Sequence, residues 1–478
     1  DLHSFPTRRS SDLHIVLSCG ATALAASEDS TRTQIIAEVL VTASKRLESL
    51  QDVPAAISAI TADQLELSGA DELDDFFRSV PGLLLLPGGG PTDQVIVIRG
   101  ISDSVSGGFT QSKVGIYIDE IPITSGQGAV NLDMSLFDVE RVTVLRGPQG
   151  VLYGAASLGG TIKYETRKPN PERFEARAQA AMSDTKEGGF NYSGGGMLNV
   201  PLGENVALRV SAFHRYDDGV IDNVALGEEN INSTETNGGR VAALWNIGER
   251  LSLLGSVVVQ NSDLGGQFVY PAALGEFNQS ILITELIKDE FTAVNLTGTL
   301  DLGFADLTAA SSRFERSVDS TNDGTPFMRP FVEGLHVSFF GTPRLLPGPG
   351  RGTSIYDVGE LYAHELRLVS KNSEQWQWTV GGFYSFEDTA FASITAYDGF
   401  ADAFGPFALD GDVVLSADGV TTYRQLAAFG ELGYRFANGL RATAGLRWAE
   451  NEIVRGNDHS RFLGAYMEIG RASCRERV

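Results

Sequence analysis

From Arg173 onward, apolar and polar residues alternate in segments of about ten residues: 173–183, 191–200, 206–216, 238–247, 251–260, 291–302, 307–317, 359–370, 375–386, 422–436 and 440–450. A period of two predicts strands with one apolar and one polar face. Two kinds of connection separate them. Short ones carry turn residues: Pro201–Asn205, Gly248–Arg250, Gly303–Asp306, Lys371–Glu374 and Ala437–Gly439. Long ones span 217–237, 261–290, 318–358 and 388–421. Apart from a short loop near Asp184–Gly189, short and long alternate strictly. That asymmetry predicts an antiparallel transmembrane β-barrel, and a solvated β-sandwich does not account for it. Aromatic residues near strand ends (Trp245, Trp376, Trp378, Tyr384, Tyr434 and Trp448) fit an interfacial girdle.

Before Arg173 the pattern is shorter and mixed. Val53–Ile60, Gln94–Gly100 and Val114–Ile121 read as strands. Thr61-Ala62-Asp63-Gln64 starts a helix, with Thr61 able to cap it and Gln64 three residues on. Asp71–Phe77 reads as a second helix, acidic in its first turn and ending before Pro81-Gly82. The stretch Arg141–Pro169, RVTVLRGPQGVLYGAASLGGTIKYETRKP, holds two alternating runs around a glycine-rich turn. Its glycines do not follow the order of a phosphate-binding loop, since Thr161 and Ile162 separate Gly160 from Lys163. Short strands with two small helices make an α+β globule that can sit inside a polar lumen.

Ile98-Arg99-Gly100, Gly115–Pro122 and Arg141–Pro169 resemble the plug domain of TonB-dependent outer-membrane receptors, and the match runs in the family's order from Glu38 to Pro169. The resemblance implies an α+β plug domain followed by a transmembrane antiparallel β-barrel of about 22 strands. About eleven are present, so the sequence is expected to stop near half-barrel, in an extracellular loop around Asn451–Met467. The expected segments are 1–13 adapter-like, 14–25 signal-peptide remnant, 26–46 flexible lead, 47–170 plug, 171–469 barrel and 470–478 adapter-like. Glu38, Val39, Leu40, Val41, Thr42 and Ala43 read as a plain first strand or, by resemblance, as a TonB box lending its backbone to a partner sheet. Ser102, Asp103, Ser104, Phe109, Gln111, Ser125 and Gln127 lie in loops that, by resemblance, meet ligand. Arg99, Gly100, Glu140, Arg146, Gly147, Tyr153, Gly154, Gly159 and Gly160 take structural roles in the plug.

The implied activity is TonB-dependent import of a scarce nutrient across a Gram-negative outer membrane, with a ferric siderophore as the leading substrate. Oligosaccharide or other nutrient uptake is the alternative, and a plugged-barrel adhesin or signalling receptor is a reading of another class. Expected partners are TonB with its inner-membrane proton-driven complex, outer-membrane lipid and lipopolysaccharide, and an iron chelate or other small nutrient.

Composition narrows the remaining classes. Among 478 residues there is no run of about 18 apolar positions for a transmembrane helix. A net charge of −24 disfavours nucleic acid, which needs clustered Lys and Arg. Cys19 and Cys474 lie in the two ends set aside from the fold, so no disulfide framework is expected. His364-Glu365 begins a zinc motif that Leu368 ends, and Asp319–Gly324 begins a calcium loop with Pro330 where glutamate belongs. Neither a catalytic constellation, a metal site nor a cofactor is expected.

Overall fold

The computed structural model describes residues 15–21, 40–41, 45–46, 48–51, 53, 55–68, 76–86, 95–102, 112–124, 134–154, 156–344, 348–371, 375–408, 410–456, 458–462, 465–469 and 472–477. The plug is built on a five-stranded sheet of β1 (Ala56–Thr61), β2 (Val114–Ile118), β3 (Ile121–Pro122), β4 (Val139–Arg146) and β5 (Gly160–Thr166), ordered β1-β4-β5-β2-β3. The predicted strands Val53–Ile60 and Val114–Ile121 fall on β1 and β2, whereas Gln94–Gly100 supplies Val95–Ile98 to a separate three-stranded sheet with Leu83–Leu86 and Ile101–Ser102. β5 pairs β2 in parallel and β4 antiparallel, so both its edges are bonded, and every residue along it is buried. Helix α1 (Ala62–Ser68) starts where Thr61 predicts. Gln64 N–H donates to Thr61 Oγ1 at 3.4 Å, and Thr61 N–H donates to Gln64 Oε1 at 3.1 Å, a reciprocal capping box. Of the expected second helix, Phe76 and Phe77 are helical and fully buried, and the rest lies outside the described residues.

Eleven long strands follow: β6 (Glu175–Asp184), β7 (Phe190–Pro201), β8 (Val206–Asp217), β9 (Thr234–Ile247), β10 (Leu251–Leu264), β11 (Leu286–Asp301), β12 (Ala305–Asp323), β13 (Gly350–Ser370), β14 (Trp376–Tyr397), β15 (Val413–Arg435) and β16 (Arg441–Arg455). Each pairs antiparallel with the next, as the alternation predicts. The burial pattern is inverted relative to a water-soluble sheet. In β8, Arg209, Ser211 and Arg215 are buried against the plug side, while Val210 points outward and is exposed. Val241, Val257, Leu296, Leu366, Val380, Leu426 and Leu446 continue that outward apolar face. A polar interior with an apolar exterior suits a wall between lipid and a hydrated lumen. Trp245, Trp376, Tyr384 and Trp448 are exposed, and Trp376 packs 4.6 Å from Tyr434.

Two expectations change. The long loops are shorter than predicted, because β9 to β15 run on past the alternating segments. Beyond the apolar band neither face has to be apolar, so pairing continues without a period-two hydropathy signal; at the start of β9, Thr-Glu-Thr-Asn-Gly, the buried Thr234 and Thr236 are polar like their exposed neighbours. The loop after β12 also carries a helix, α2 (Thr325–Phe340), and the loop after β14 a shorter one, α3 (Phe400–Phe404). Within the terminal segments set aside above, Ile15–Ala21 pairs antiparallel with β6 and Ala472–Arg477 with β16. The edge strands offer unpaired backbone groups, and these segments engage them.

Candidate functional site: the charged seam between plug and wall

The plug meets the wall through charge as well as apolar contact. One clasp forms at Asp138, which adopts φ 62 just before β4. Its carboxylate takes two bonds from Arg209 on β8, from Nε at 2.8 Å and Nη2 at 2.5 Å. Arg209 is 1 % exposed and also donates to Glu175 at 3.1 Å. Arg240 on β9 donates to the Arg167 carbonyl at 2.8 Å, and Gln260 on β10 accepts the Ser135 N–H at 3.1 Å. Between these polar contacts, Phe291, Phe314 and Leu361 of the wall join the plug's apolar core.

A second cluster is richer in charge. The two-residue turn after β2 presents Glu120, whose Oε2 accepts Arg367 Nη1 of β13 at 2.7 Å and whose Oε1 lies 3.3 Å from Lys163 Nζ of β5. The same Arg367 Nη1 reaches Glu365 Oε1 at 2.8 Å. Glu365 Oε2 in turn accepts Lys45 Nζ at 2.6 Å, with 5 % and 10 % exposure of the two side chains. Lys45 sits over the rings of Tyr153 and Tyr117, at 5.1 and 5.8 Å from their centroids. Tyr117 donates its hydroxyl to the Tyr153 carbonyl at 3.0 Å. Within the plug, Glu165 accepts Arg141 Nε at 2.5 Å.

Burial opposes ionisation of Glu120, yet Arg367, Lys163 and Lys45 outweigh it and hold the carboxyl well below the usual range. Burial likewise opposes charge on Lys163, but Glu120 and Glu165 win and raise it. For Lys45 burial prevails over Glu365 and lowers the ammonium. Burial drives the Tyr153 hydroxyl well up, so it stays neutral.

The chain enters this cluster directly from the Glu38–Ala43 segment. Of that segment Leu40 and Val41 are described, and they pair antiparallel with Ser49 and Glu48; Glu38, Val39, Thr42 and Ala43 lie outside the described residues. Arg46 donates to Ser370 Oγ at 3.1 Å and to the Trp378 carbonyl at 3.0 Å, beside the short turn between β13 and β14. Arg441, on the far side of the last short turn, donates to Glu48 at 3.3 Å. The lead into the plug is thus fastened at the short-turn end of the wall.

The other sequence-predicted residues fall as follows. Ser102 ends a short strand whose carbonyl accepts Lys113 Nζ at 3.1 Å; Asp103, Ser104, Phe109, Gln111, Ser125 and Gln127 lie outside the described residues. Arg99 (φ 52) and Gly100 (φ 79) form a two-residue hairpin turn, and Arg146 donates to the Pro81 carbonyl at 2.7 Å. Glu140 is exposed on β4, 3.7 Å from Arg141. Tyr153 joins the Lys45 cage. Gly147 N–H donates to the Gly159 carbonyl, and Gly159 N–H to the Lys113 carbonyl. Gly154 lies against Arg447 of the wall, and a Cβ at Gly160 would stand 2.4 Å from the Leu145 carbonyl oxygen. Sequence reasoning missed Lys45, Glu120, Lys163, Glu365 and Arg367 as one group.

Comparison with known proteins agrees with this construction. Residues 49–161 match the family described as TonB-dependent Receptor Plug Domain. The chain is 30% identical over 208 residues to the pesticin receptor of Yersinia pestis, covering 42% of this chain and 29% of that protein. It is 29% identical over 201 residues to an iron-regulated outer membrane virulence protein of Vibrio cholerae, covering 41% of this chain and 30% of that protein. The matched region therefore spans under a third of these relatives. Among solved structures, the ferric yersiniabactin uptake receptor FyuA from Yersinia pestis aligns with a TM-score of 0.71 at 20% identity, covering 89% of this chain and 60% of that one. The unliganded ferric citrate transporter FecA aligns with a TM-score of 0.63 at 12% identity, covering 89% and 60%. Residues 49–161 thus match the plug domain of TonB-dependent receptors, and the charged contacts described above seat that plug against strands that are polar inside and apolar outside.

Proposed function

We propose that the receptor carrying this chain imports a scarce nutrient across the outer membrane, driven by TonB, and that a ferric siderophore is its substrate. One observation carries the coupling half of this reading. The Glu38–Ala43 segment leads straight into Lys45 and Arg46, which are fixed at the short-turn mouth of the wall, where a periplasmic partner reaches. A pull on Leu40 and Val41 opposes their pairing with Ser49 and Glu48, so a TonB strand that draws the segment outward competes with that pairing. Ligand bound on the opposite side would act by shifting this equilibrium. The exposed apolar face of the wall would meet outer-membrane lipid and lipopolysaccharide.

The iron half rests on relatives named for ferric yersiniabactin uptake and for iron regulation. The test is labelled-iron uptake by cells that depend on this receptor, over a panel of ferric siderophores, with and without residues 38–43. Siderophore-specific uptake lost on the deletion is expected. Uptake that survives the deletion refutes the coupling, and a silent panel with transcript unresponsive to iron chelation redirects the substrate to an oligosaccharide or another nutrient.

A further inference from the structure

The buried cluster contains one charge, Lys45, that belongs to the lead rather than to plug or wall. Arg367 Nη1 is shared, 2.7 Å from Glu120 of the plug and 2.8 Å from Glu365 of its own strand. Glu365 divides its two oxygens between Arg367 and Lys45. We propose that Lys45 is a removable pin: withdrawing it hands Arg367 over to Glu365 and frees Glu120, so that the plug sheet loses its tie to β13. This rests on the coupling reading above and specifies how the same site responds to a pull.

The hand-over follows from which groups keep a partner. With Lys45 gone, Glu365 is a buried carboxylate whose remaining cation is Arg367, two residues along the same face of β13. An uncompensated buried charge is costly, so Arg367 moves toward it. Glu120 is not stranded, because Lys163 lies 3.3 Å away inside the plug. Glu165, which also approaches Lys163 at 3.9 Å, has Arg141 at 2.5 Å. After withdrawal every carboxylate is thus neutralised by a cation on its own side of the seam. The Arg367–Glu120 bridge, which crosses the seam, becomes the expendable bond. With Lys45 in place the wall instead holds two cations around Glu365, and Arg367 has charge to spare for Glu120. The cage of Tyr117 and Tyr153 keeps Lys45 there until it is pulled, since leaving also breaks its contact with both rings.

The test is the rate of plug release from the purified receptor held at constant force through a covalent tether at residue 38, so that TonB plays no part. Lys45→Met is expected to accelerate release by about tenfold or more, as is Glu120→Gln. In the Glu120→Gln background, Lys45→Met should add less than about twofold, because the bond it acts on is already gone. Additive effects overturn the hand-over, as does release unchanged by Lys45→Met. Heat-modifiable migration confirms that each variant barrel is folded, and Lys45→Arg, which keeps the charge, should restore most of the native rate. The coupling reading is checked separately by disulfide capture of TonB through Val41→Cys: its failure would sink that reading while leaving the release kinetics intact.

Discussion

The Asp138–Arg209 clasp gives the sharpest quantitative test of how the plug is seated. Asp138→Asn is the informative change, because asparagine tolerates the left-handed backbone at φ 62 and preserves one acceptor oxygen while removing the charge. Breaking a buried ion pair by neutralising one partner costs about 3–5 kcal/mol. Two features reduce that here. Arg209 keeps Glu175 at 3.1 Å, and the amide oxygen can still accept one of the two guanidinium bonds. The remaining loss is about 2–3 kcal/mol in plug docking, or roughly 30- to 150-fold in the docking equilibrium. Hydrogen exchange of the Ser135 amide in the detergent-solubilised receptor reads this directly, since that N–H donates to Gln260 of the wall across the seam. Protection falling by that factor, with Arg209→Met in the same background costing little more, fits the clasp. A fall of under about threefold would show that the apolar contacts of Phe291, Phe314 and Leu361 seat the plug and that the clasp contributes little.

Other outcomes follow from particular contacts. Gly160→Ala should destabilise the plug by about 2–3 kcal/mol, seen as a lower plug melting temperature, since its Cβ meets backbone at Leu145 rather than a yielding side chain. Val210→Lys, on the outward face of β8, should cost about 2–4 kcal/mol in barrel refolding into lipid, whereas Val210→Thr should cost far less. Glu120 is held below its ordinary range, so its stabilising contribution is present above the unfolded-state value of about 4.3 and disappears as pH falls through the lower folded value. The docking difference between native receptor and Glu120→Gln should therefore be flat from about pH 8 to 5 and shrink only in stronger acid; a decline near neutrality would contradict the assignment.

Much of the wall was legible because lipid imposes a strict rule on it. Outward positions such as Val210 and Val241 must be apolar and their neighbours need not be, so β6 to β16 announce themselves at the depth of the membrane. Above that depth the rule lapses, and the extensions of β9 to β15 went unread. Helix α2 carries boundary signals, Pro326 in its first turn and Gly341 at its end with φ 74. Its aromatic residues blur any single apolar stripe: Met328 and Val332 are buried in a cluster with Phe400 and Phe404, while the exposed Phe339 and Phe340 also pack on Phe404 and Phe407. The charged seam was out of reach for another reason. Lys45 and Glu365 stand 320 positions apart, and no local pattern marks residues that meet only after the plug enters the barrel. The resemblance drew attention to Glu140, yet Glu66, Glu120 and Asp138 are plug carboxylates that reach the wall.

From β6 to β15 the strands lengthen along the wall, before β16 falls back to 15 residues. β6 has 10 residues and β15 has 23. At about 3.4 Å per residue and a tilt near 40°, these rise roughly 26 and 60 Å along the barrel axis, against an apolar band of about 25 Å. The rim is therefore a ramp, with a low sill at the first hairpin and a parapet at β13 to β15. On a living cell the parapet would project into the sugar layer while the sill stays within it. Antibodies raised against whole cells should accordingly favour the crest at 398–408 over the low turn at Asp184–Gly189.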